Sequence, residues 1–600
     1  MENSRNFLIA MALSIAVLIG WQFFVIHPRS EAQRQLEQSQ QATLQTPTTP
    51  AGTAQDPAVS PAGRESVVPT SQTPEVTGQT RDAALATNPR IPIDTPAVYG
   101  SINLQGARLD DLRLKGYHET VDDNSPTIVL LSPETIGKDG YFAEFGYSGQ
   151  NLGTLPGPQT LWQADAGQTL TPSTPVTLTA TNGQGLTFTR TISVDDKFMF
   201  TVEDQVSNTG GAAASVAPYG RVVRFSKPEV ASAYVLFEGL LGVFGDQGLQ
   251  EVKYHNIEED KLVSPTPSAA GWIGMTDKYW ATALVPAQGQ GTFQPNFRYS
   301  AEGRPFYQSD YLAQGLTVEP GATVTTSSRV FAGAKVVDVI NGYEDTLGIH
   351  NFGLLIDWGW FKFITRPMFW AIDHLYTLTG NFGVAILLIT VILKLFFFPL
   401  ASKSYKSMAK MKTVQPKLTE LREKYADDRA KQQQEMMRIY KEEKINPAAG
   451  CWPVLVQIPV FFALYKVLYI TIEMRHAPFF GWIHDLAAPD PTSLFNLFGL
   501  IPITLPHLLM VGVWPLLMGI TMFIQMRLNP TPPDPAQQMV FTWMPVIFTF
   551  MMASFPAGLV IYWTWNNTLS ITQQTIIMKR HGAKIELWDN LRGMFRKSKA

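Results

Sequence analysis

The stretch Ile386 to Leu395 is apolar except for Thr390 and Lys394, four residues apart and therefore on one face of a helix. A lysine inside a bilayer costs roughly 2.5–3.5 kcal/mol on insertion scales and turns toward protein or water rather than lipid. Two readings stand open from these residues. The ammonium lines a wet cavity, or it snorkels, because Pro399 follows five residues later and ~1.5 Å per residue leaves it within ~8 Å of an interface. Elsewhere Tyr562, Asn566, Ser570 and Gln573 recur at helical spacing in an apolar segment, with Trp563, Asn567 and Gln574 on the adjoining strip. Amides without partners are expensive in hydrocarbon, so these bond to neighbouring helices or wall a groove. Gln457, between Pro453 and Pro459, is a third group of this kind. Three apolar segments that each present polar groups read most economically as the walls of one hydrated groove around Lys394. Its chemistry is physical: it lowers the cost of desolvating a polar chain.

Group-transfer chemistry has no such support. The chain lacks a Gly-x-x-x-x-Gly-Lys-Ser/Thr loop, a His-Glu-x-x-His pair and a Gly-x-Ser-x-Gly elbow. Its 9 histidines show no metal-ligand spacing, and its single cysteine, Cys451, excludes an internal disulfide. No catalytic residue, metal or cofactor is expected. The glycines at 239, 242, 245 and 248 lack a following lysine and helix pattern, so a mobile loop is expected there rather than a phosphate cradle. No Asp or Glu lies within the core of an apolar segment, which argues against a carboxylate-based proton pump.

The elements that must position these residues follow from composition and period. Phe7 to Ile26 is long enough to span ~30 Å of hydrocarbon and reads as an uncleaved anchor, domain 1–27. Residues 28–90, dominated by Gln, Thr, Ala, Pro and Ser and without aromatics from Glu31 onward, read as a disordered tether. From 91 to 349 the apolar period is two. Val176, Leu178 and Ala180, the Asn182–Gly183 turn, then Leu186, Phe188, Ile192 and Val194 give antiparallel strands, and the region as a whole an all-β sandwich. Residues 353–379 mix Trp, Phe and Tyr with charges, as a helix lying in the membrane interface does. Spanning helices are expected at 381–400, 451–472, 508–528, 538–555 and 558–578, six with the anchor. Lys466 and Arg527 fall near span ends and read as snorkelling.

Between the first two of these five, 401–449 reads as a helical hairpin, with Met408, Met411, Val414, Leu418, Leu421 and Tyr425 stepping by three and four and Met436, Met437 and Tyr440 facing back. Core packing accounts for most of those methionines, although soft side chains also suit surfaces that accept varied apolar segments. This loop holds 12 Lys and Arg against 7 Asp and Glu, and the tail 579–600 holds 7 against 2. Four spans separate the two, so both lie on one side, which the positive-inside rule makes cytoplasmic. Both termini are then inside and the sandwich outside. The basic tail suits lipid headgroups or RNA phosphates.

Several motifs resemble the YidC/Oxa/Albino family of membrane protein insertases. They are Ser407 to Met411, Asn446–Pro447 through Gly450–Cys451–Trp452–Pro453, Gln457–Ile458–Pro459, Trp482 to Leu486 and Phe555 to Leu559, in that order. Gly100 to Leu104 and Gly106 to Leu112 resemble the start of the periplasmic domain of Gram-negative members. The resemblance implies a non-enzymatic insertase and chaperone of the bacterial inner membrane, a five-helix core plus anchor, working alone or beside the Sec translocon. Its implied partners are nascent membrane proteins, the ribosome and the phospholipid bilayer, not DNA. It implies an inward-open groove at Lys394, Thr390, Gln457, Tyr562, Asn566 and Gln573. First contact with substrate at Met408, Met411, Met436 and Met437, and ribosome contact at Arg592, Arg596, Lys597 and Lys599, are further hypotheses. Lys394 matches the position of the family's groove cation, usually arginine, and keeps the charge without the planar fork. Asn496 to His507 is additional proline-containing sequence without an assigned role. Two other classes remain: an envelope protein whose sandwich binds carbohydrate through Tyr141, Phe142, Trp162 and Trp272, and a channel or transporter.

Overall fold

A computed structural model describes residues 68–70, 79–228, 236–425, 428–443, 445, 452–499, 501, 510–529 and 535–581. The anchor at 1–27, most of the tether, Cys451 with the Asn446–Gly450 motif, and the tail cations Arg592, Arg596, Lys597 and Lys599 lie outside them.

The period-two segments form strands in two antiparallel sheets, one of ten strands and one of nine. In the hairpin of Val176–Thr181 and Leu186–Val194, Val176 faces Ile192 and Ala180 faces Phe188, and the inward positions are the buried ones. That alternation puts one face of each sheet into a shared core containing Leu178, Phe188, Phe200, Trp272 and Phe331. Short helices α1 (Arg81–Leu85) and α2 (Tyr254–Asp260) decorate the sandwich, and α3 (Val337–Leu347) follows its last strand.

Two expectations fail here. The spaced glycines are not a mobile loop: Gly239–Phe244 is a fully buried strand of the nine-stranded sheet. Gly242 is there for space, since a Cβ would come within 2.7 Å of the Trp272 carbonyl oxygen. The tether also ends earlier than residue 90. Thr80 caps α1, and Arg81 reaches Asp111, the Ser132 hydroxyl and the Leu131 carbonyl. Polar bonds, invisible to apolar patterning, order a segment without aromatics.

The carboxyl-terminal half is helical: α4 (Lys362–Thr379), α5 (Phe382–Phe396), α6 (Phe398–Lys424), α7 (Arg429–Glu442), α8 (Trp452–Ile470), α9 (Val513–Leu528), α10 (Pro535–Met552) and α11 (Ala557–Arg580). Asn381 caps α5, its side chain accepting from the Val384 N–H. The chain bends 67° between α5 and α6, so the hairpin begins at Phe398 rather than 401. Pro399 explains the break, because proline ends a helix yet suits the first turn of the next. Among the described residues no single helix is long and apolar enough to cross a membrane by itself; α5 and α6 pass that test only together, and α8, α9 and α10 carry shorter apolar stretches.

α4 is shorter than the expected 353–379. It buries Met368, Phe369 and Ile372 while exposing Phe363 and Trp370. Lys466 does not snorkel. Its ammonium donates to Asp357 Oδ2 at 2.6 Å, and Asp357 also accepts from the Phe237 backbone N–H, so the charge ties α8 to the sandwich. Arg527 lies over the Phe523 ring.

Candidate functional site

The α5–α6 bend, α8 and α11 line an open groove with about 50 Å³ of water-sized space. All six residues picked from spacing line it: Thr390 and Lys394 from α5, Gln457 from α8, and Tyr562, Asn566 and Gln573 from α11. Leu393, Phe397, Val456 and Val460 supply its apolar wall, and Tyr405 of α6 its floor. α11 is able to present a polar strip because its other sides meet α5, α6, α8 and α9, and its helical period keeps positions 562, 566, 570 and 573 on one face.

Lys394 leans across to α11 and donates to Ser570 Oγ at 2.7 Å. The Ser570 hydroxyl in turn donates to the Asn566 carbonyl of its own helix. Among the described residues no carboxylate pairs with this ammonium, in contrast to the paired Lys466. Thr390 is buried, and its hydroxyl donates to the Ile386 carbonyl one turn back, so it narrows the wall without offering a free donor. Gln457 and Tyr562 hydrogen-bond across the top. The side-chain oxygens of Asn566 and Gln573 are buried without a hydrogen-bond partner. The groove therefore holds a cation and two spare acceptors inside an apolar frame, where each unmade bond costs about 1–3 kcal/mol.

Not every polar group of α11 serves the groove. Asn567 donates to Thr521 Oγ1 and Gln574 to Asn529 Oδ1, both on or next to α9, so the adjoining strip is interhelical glue. Trp565 donates to the Leu387 carbonyl on α5. Tyr405 and Ser570 are the residues sequence reasoning undervalued. Ala401, Ser404, Tyr405 and Met408 form an i, i+3, i+4, i+7 stripe that points the first turns of α6 back at α11.

The hairpin methionines divide. Met408 is buried with Tyr405 against Ile577 of α11. Met411 and Met436 pack into the seam with Val414, Leu418 and Ile445. Only Met437, 47% exposed, offers an open face. The four aromatics of the carbohydrate alternative are all buried and separate: Trp162 beneath Arg190, Trp272 against Phe352, Tyr141 beneath Arg224 and Phe142 beneath Arg108. They form no exposed platform.

A bundle of apolar helices holding a cation-bearing polar notch, joined to a two-sheet sandwich, defines a membrane protein with an extramembrane β domain. Residues 90–371 match the family model of the YidC periplasmic domain, and residues 374–584 that of the 60Kd inner membrane protein. The membrane protein insertase YidC of Mesorhizobium japonicum is 62% identical over 599 residues, covering 100% of this chain and 99% of its own. That of Brucella suis is 62% identical over 605 residues with the same coverage. A crystal structure of an active YidC insertase aligns with 83% of this chain and 93% of its own at 18% identity and a TM-score of 0.35, too loose to add to the case. The chain belongs to the YidC family of membrane protein insertases.

Proposed function

We propose that this chain moves short polar segments of nascent membrane proteins across the inner membrane through the Lys394 groove, while their apolar segments pass into lipid along the outside of α5, α8 and α10. The observation that carries this reading is an ammonium with no carboxylate partner among the described residues, in the same groove as the unsatisfied oxygens of Asn566 and Gln573. Water and an incoming polar chain supply the missing partners, which lowers the desolvation cost of the substrate's leading segment. Lys394 attracts acidic segments by charge alone, with no bidentate geometry. The outer route is greasy: Leu388, Ile392, Leu395 and Phe396 on α5, Leu455, Ile458 and Phe462 on α8, and Val546, Ile547 and Phe550 on α10 are exposed. Transfer of apolar area into lipid is downhill by ~25 cal/mol per Å² and needs no nucleotide.

In this reading the anchor, α5 with its bend, α8, α9, α10 and α11 are the six spans, with both termini and the α6–α7 hairpin cytoplasmic and the sandwich periplasmic. α9, with 16 residues, is about 24 Å long, short of the ~30 Å hydrocarbon core, a mismatch that local thinning of the bilayer beside α9 would meet. Exposed Trp360, Phe363 and Trp370 hold the α4 region at the periplasmic interface. Met437 makes first contact with a substrate, Met411 and Met436 hold the hairpin seam, and Met408 its base. Arg592, Arg596, Lys597 and Lys599 dock the ribosome, and the Sec translocon is a second partner. The test is insertion of a small single-span protein with an acidic leading segment into proteoliposomes: Lys394→Glu abolishes it. A channel predicts ion or solute flux from the same vesicles instead.

A further inference from the structure

α11 carries its amides in doubled pairs. Asn566–Asn567 and Gln573–Gln574 stand seven residues apart, so each pair offers one amide to the groove and an identical one about 100° further round the helix. The sequence of α11 therefore does not decide by itself which member of each pair faces Lys394; its neighbour does. Val560, Asn567 and Gln574, at heptad spacing, meet α9. Val560 packs with Met518 and Met522, Asn567 Nδ2 donates to Thr521 Oγ1 at 3.3 Å, and Gln574 Nε2 donates to Asn529 Oδ1 at 3.0 Å. The Thr521 hydroxyl gives its own proton to the Met518 carbonyl and so stands as an acceptor. Asn567 and Gln574 are buried in this seam. One loop sets the height of α11 against α9. The Leu486 and Ala488 carbonyls accept from the Gly558 and Ala557 N–H groups at the start of α11, while Asp490 Oδ2 and Thr492 Oγ1 accept from the Trp514 and Val513 N–H groups at the start of α9.

We propose that Asn567 and Gln574 are positioning residues for membrane insertion: held by Thr521 and Asn529, they key the rotation of α11 and so select which of its amides face the groove. The proposal rests on the Lys394 groove being the substrate's path. A turn of one residue, about 100°, brings Trp563, Asn567, Ile571 and Gln574 to the groove in place of Tyr562, Asn566, Ser570 and Gln573. The amides exchange like for like. What is lost is the Tyr562 partner of Gln457 and the Ser570 partner of Lys394, and the ammonium is left against an isoleucine. Polar groups stripped of partners are expensive in hydrocarbon, so the keyed rotation is the one in which cation, hydroxyl and spare amide oxygens share one wall. A single interhelical bond of this kind is weak. Two of them, about two turns apart, hold rotation and tilt together, and the shared loop stops α11 from sliding along α9.

The test uses the full chain in nanodiscs, in a Cys451→Ser background, with one reporter at a time: Gln573→Cys on the groove face or Gln574→Cys on the α9 face. A water-soluble maleimide is expected to label position 573 at least tenfold faster than position 574. Removing the key from the α9 side, with Thr521→Val and Asn529→Leu, leaves the sequence of α11 to the reporters alone; labelling at 573 then slows at least threefold while labelling at 574 accelerates. The same α9 variant, without reporters, inserts a small acidic-tailed protein into proteoliposomes about fivefold more slowly, and Thr521→Ser, which keeps the hydroxyl, restores both the labelling pattern and the rate to within twofold. Fast labelling at 573 and slow labelling at 574 that the α9 variant leaves unchanged overturns the keying and spares the groove. Acceleration at both positions also overturns it, because a merely loosened bundle admits the reagent everywhere. Slow labelling at both positions before any change to α9 removes the wet groove, and the keying with it.

Discussion

Two buried arginines of the sandwich and the buried lysine of the bundle are handled in opposite ways. Arg190 makes a two-bond fork to Asp204, a third bond to the Phe145 carbonyl and a cation–π contact with Trp162. Arg221 is paired with Glu144. Lys394 has one neutral hydroxyl and no carboxylate among the described residues. Charges that serve architecture are neutralised where they lie, whereas a charge left half-solvated in an apolar frame lowers stability, and in the proposed function it is kept for the substrate. Lys466, locked to Asp357, shows that the helical half can neutralise a lysine in the same way.

The largest effect comes from breaking the architectural side. Asp204→Ala strands the Arg190 guanidinium, and breaking such a buried pair costs about 3–5 kcal/mol; hydrogen exchange across Leu186–Val194 and Met199–Asn208 reads the loss. Lys394→Met does the reverse in the groove. It raises the thermal midpoint by a few degrees, since ~1 kcal/mol is about 2–4 °C in a domain of this size, and lowers insertion of an acidic-tailed substrate about tenfold, the factor carried by ~1.4 kcal/mol. A stabilised and fully active Lys394→Met would erase the contrast.

A smaller, pH-dependent effect sits where the two regions meet. Glu473 Oε1 accepts from the Val337 backbone N–H at the start of α3. Burial pushes its carboxyl up to about 7 from the ordinary 4.5, and Asp373 and Asp338 add to the rise against the opposing backbone bond. An acid with a raised folded value binds its proton when folded at a pH where the unfolded chain has lost it. Its contribution is therefore present at low pH and lost as pH rises from 4.5 to about 7. Exchange at the first turn of α3 should accelerate over that window, and Glu473→Gln should flatten the profile. Least of all, Met437→Ser leaves stability within ~0.5 kcal/mol but weakens crosslinking of a nascent chain to the hairpin.

How far the sequence alone reached follows the same division. Hydrophobic period found the strands near 176–202 and the helices, because burial imposes it directly. Helical spacing brought Tyr562, Asn566 and Gln573 to the face that meets Lys394, since one helix fixes its own geometry. It set Asn567 and Gln574 apart on an adjoining strip but carried no sign of their partners, Thr521 and Asn529, because those depend on where α9 packs. The Lys466–Asp357 bridge spans 109 positions, and the ordering of Arg81 rests on partners 30 and 51 residues away; local pattern carries no trace of either. Gly239–Phe244 misled because glycine signals a turn on average, while here it makes room between buried strands.

The central claim is that Lys394 faces a wet groove that polar substrate segments occupy. The direct measurement places photo-crosslinkers singly at Asn566, inside the groove, and at Ile547, on the exposed side of α10, in full-length protein engaged with ribosome-stalled chains of increasing length. The account predicts that the polar leading segment crosslinks from Asn566 and the apolar segment from Ile547, with the Asn566 product reduced in Lys394→Met. Absence of any nascent-chain product from Asn566 at every length, with Ile547 still reactive, would contradict it.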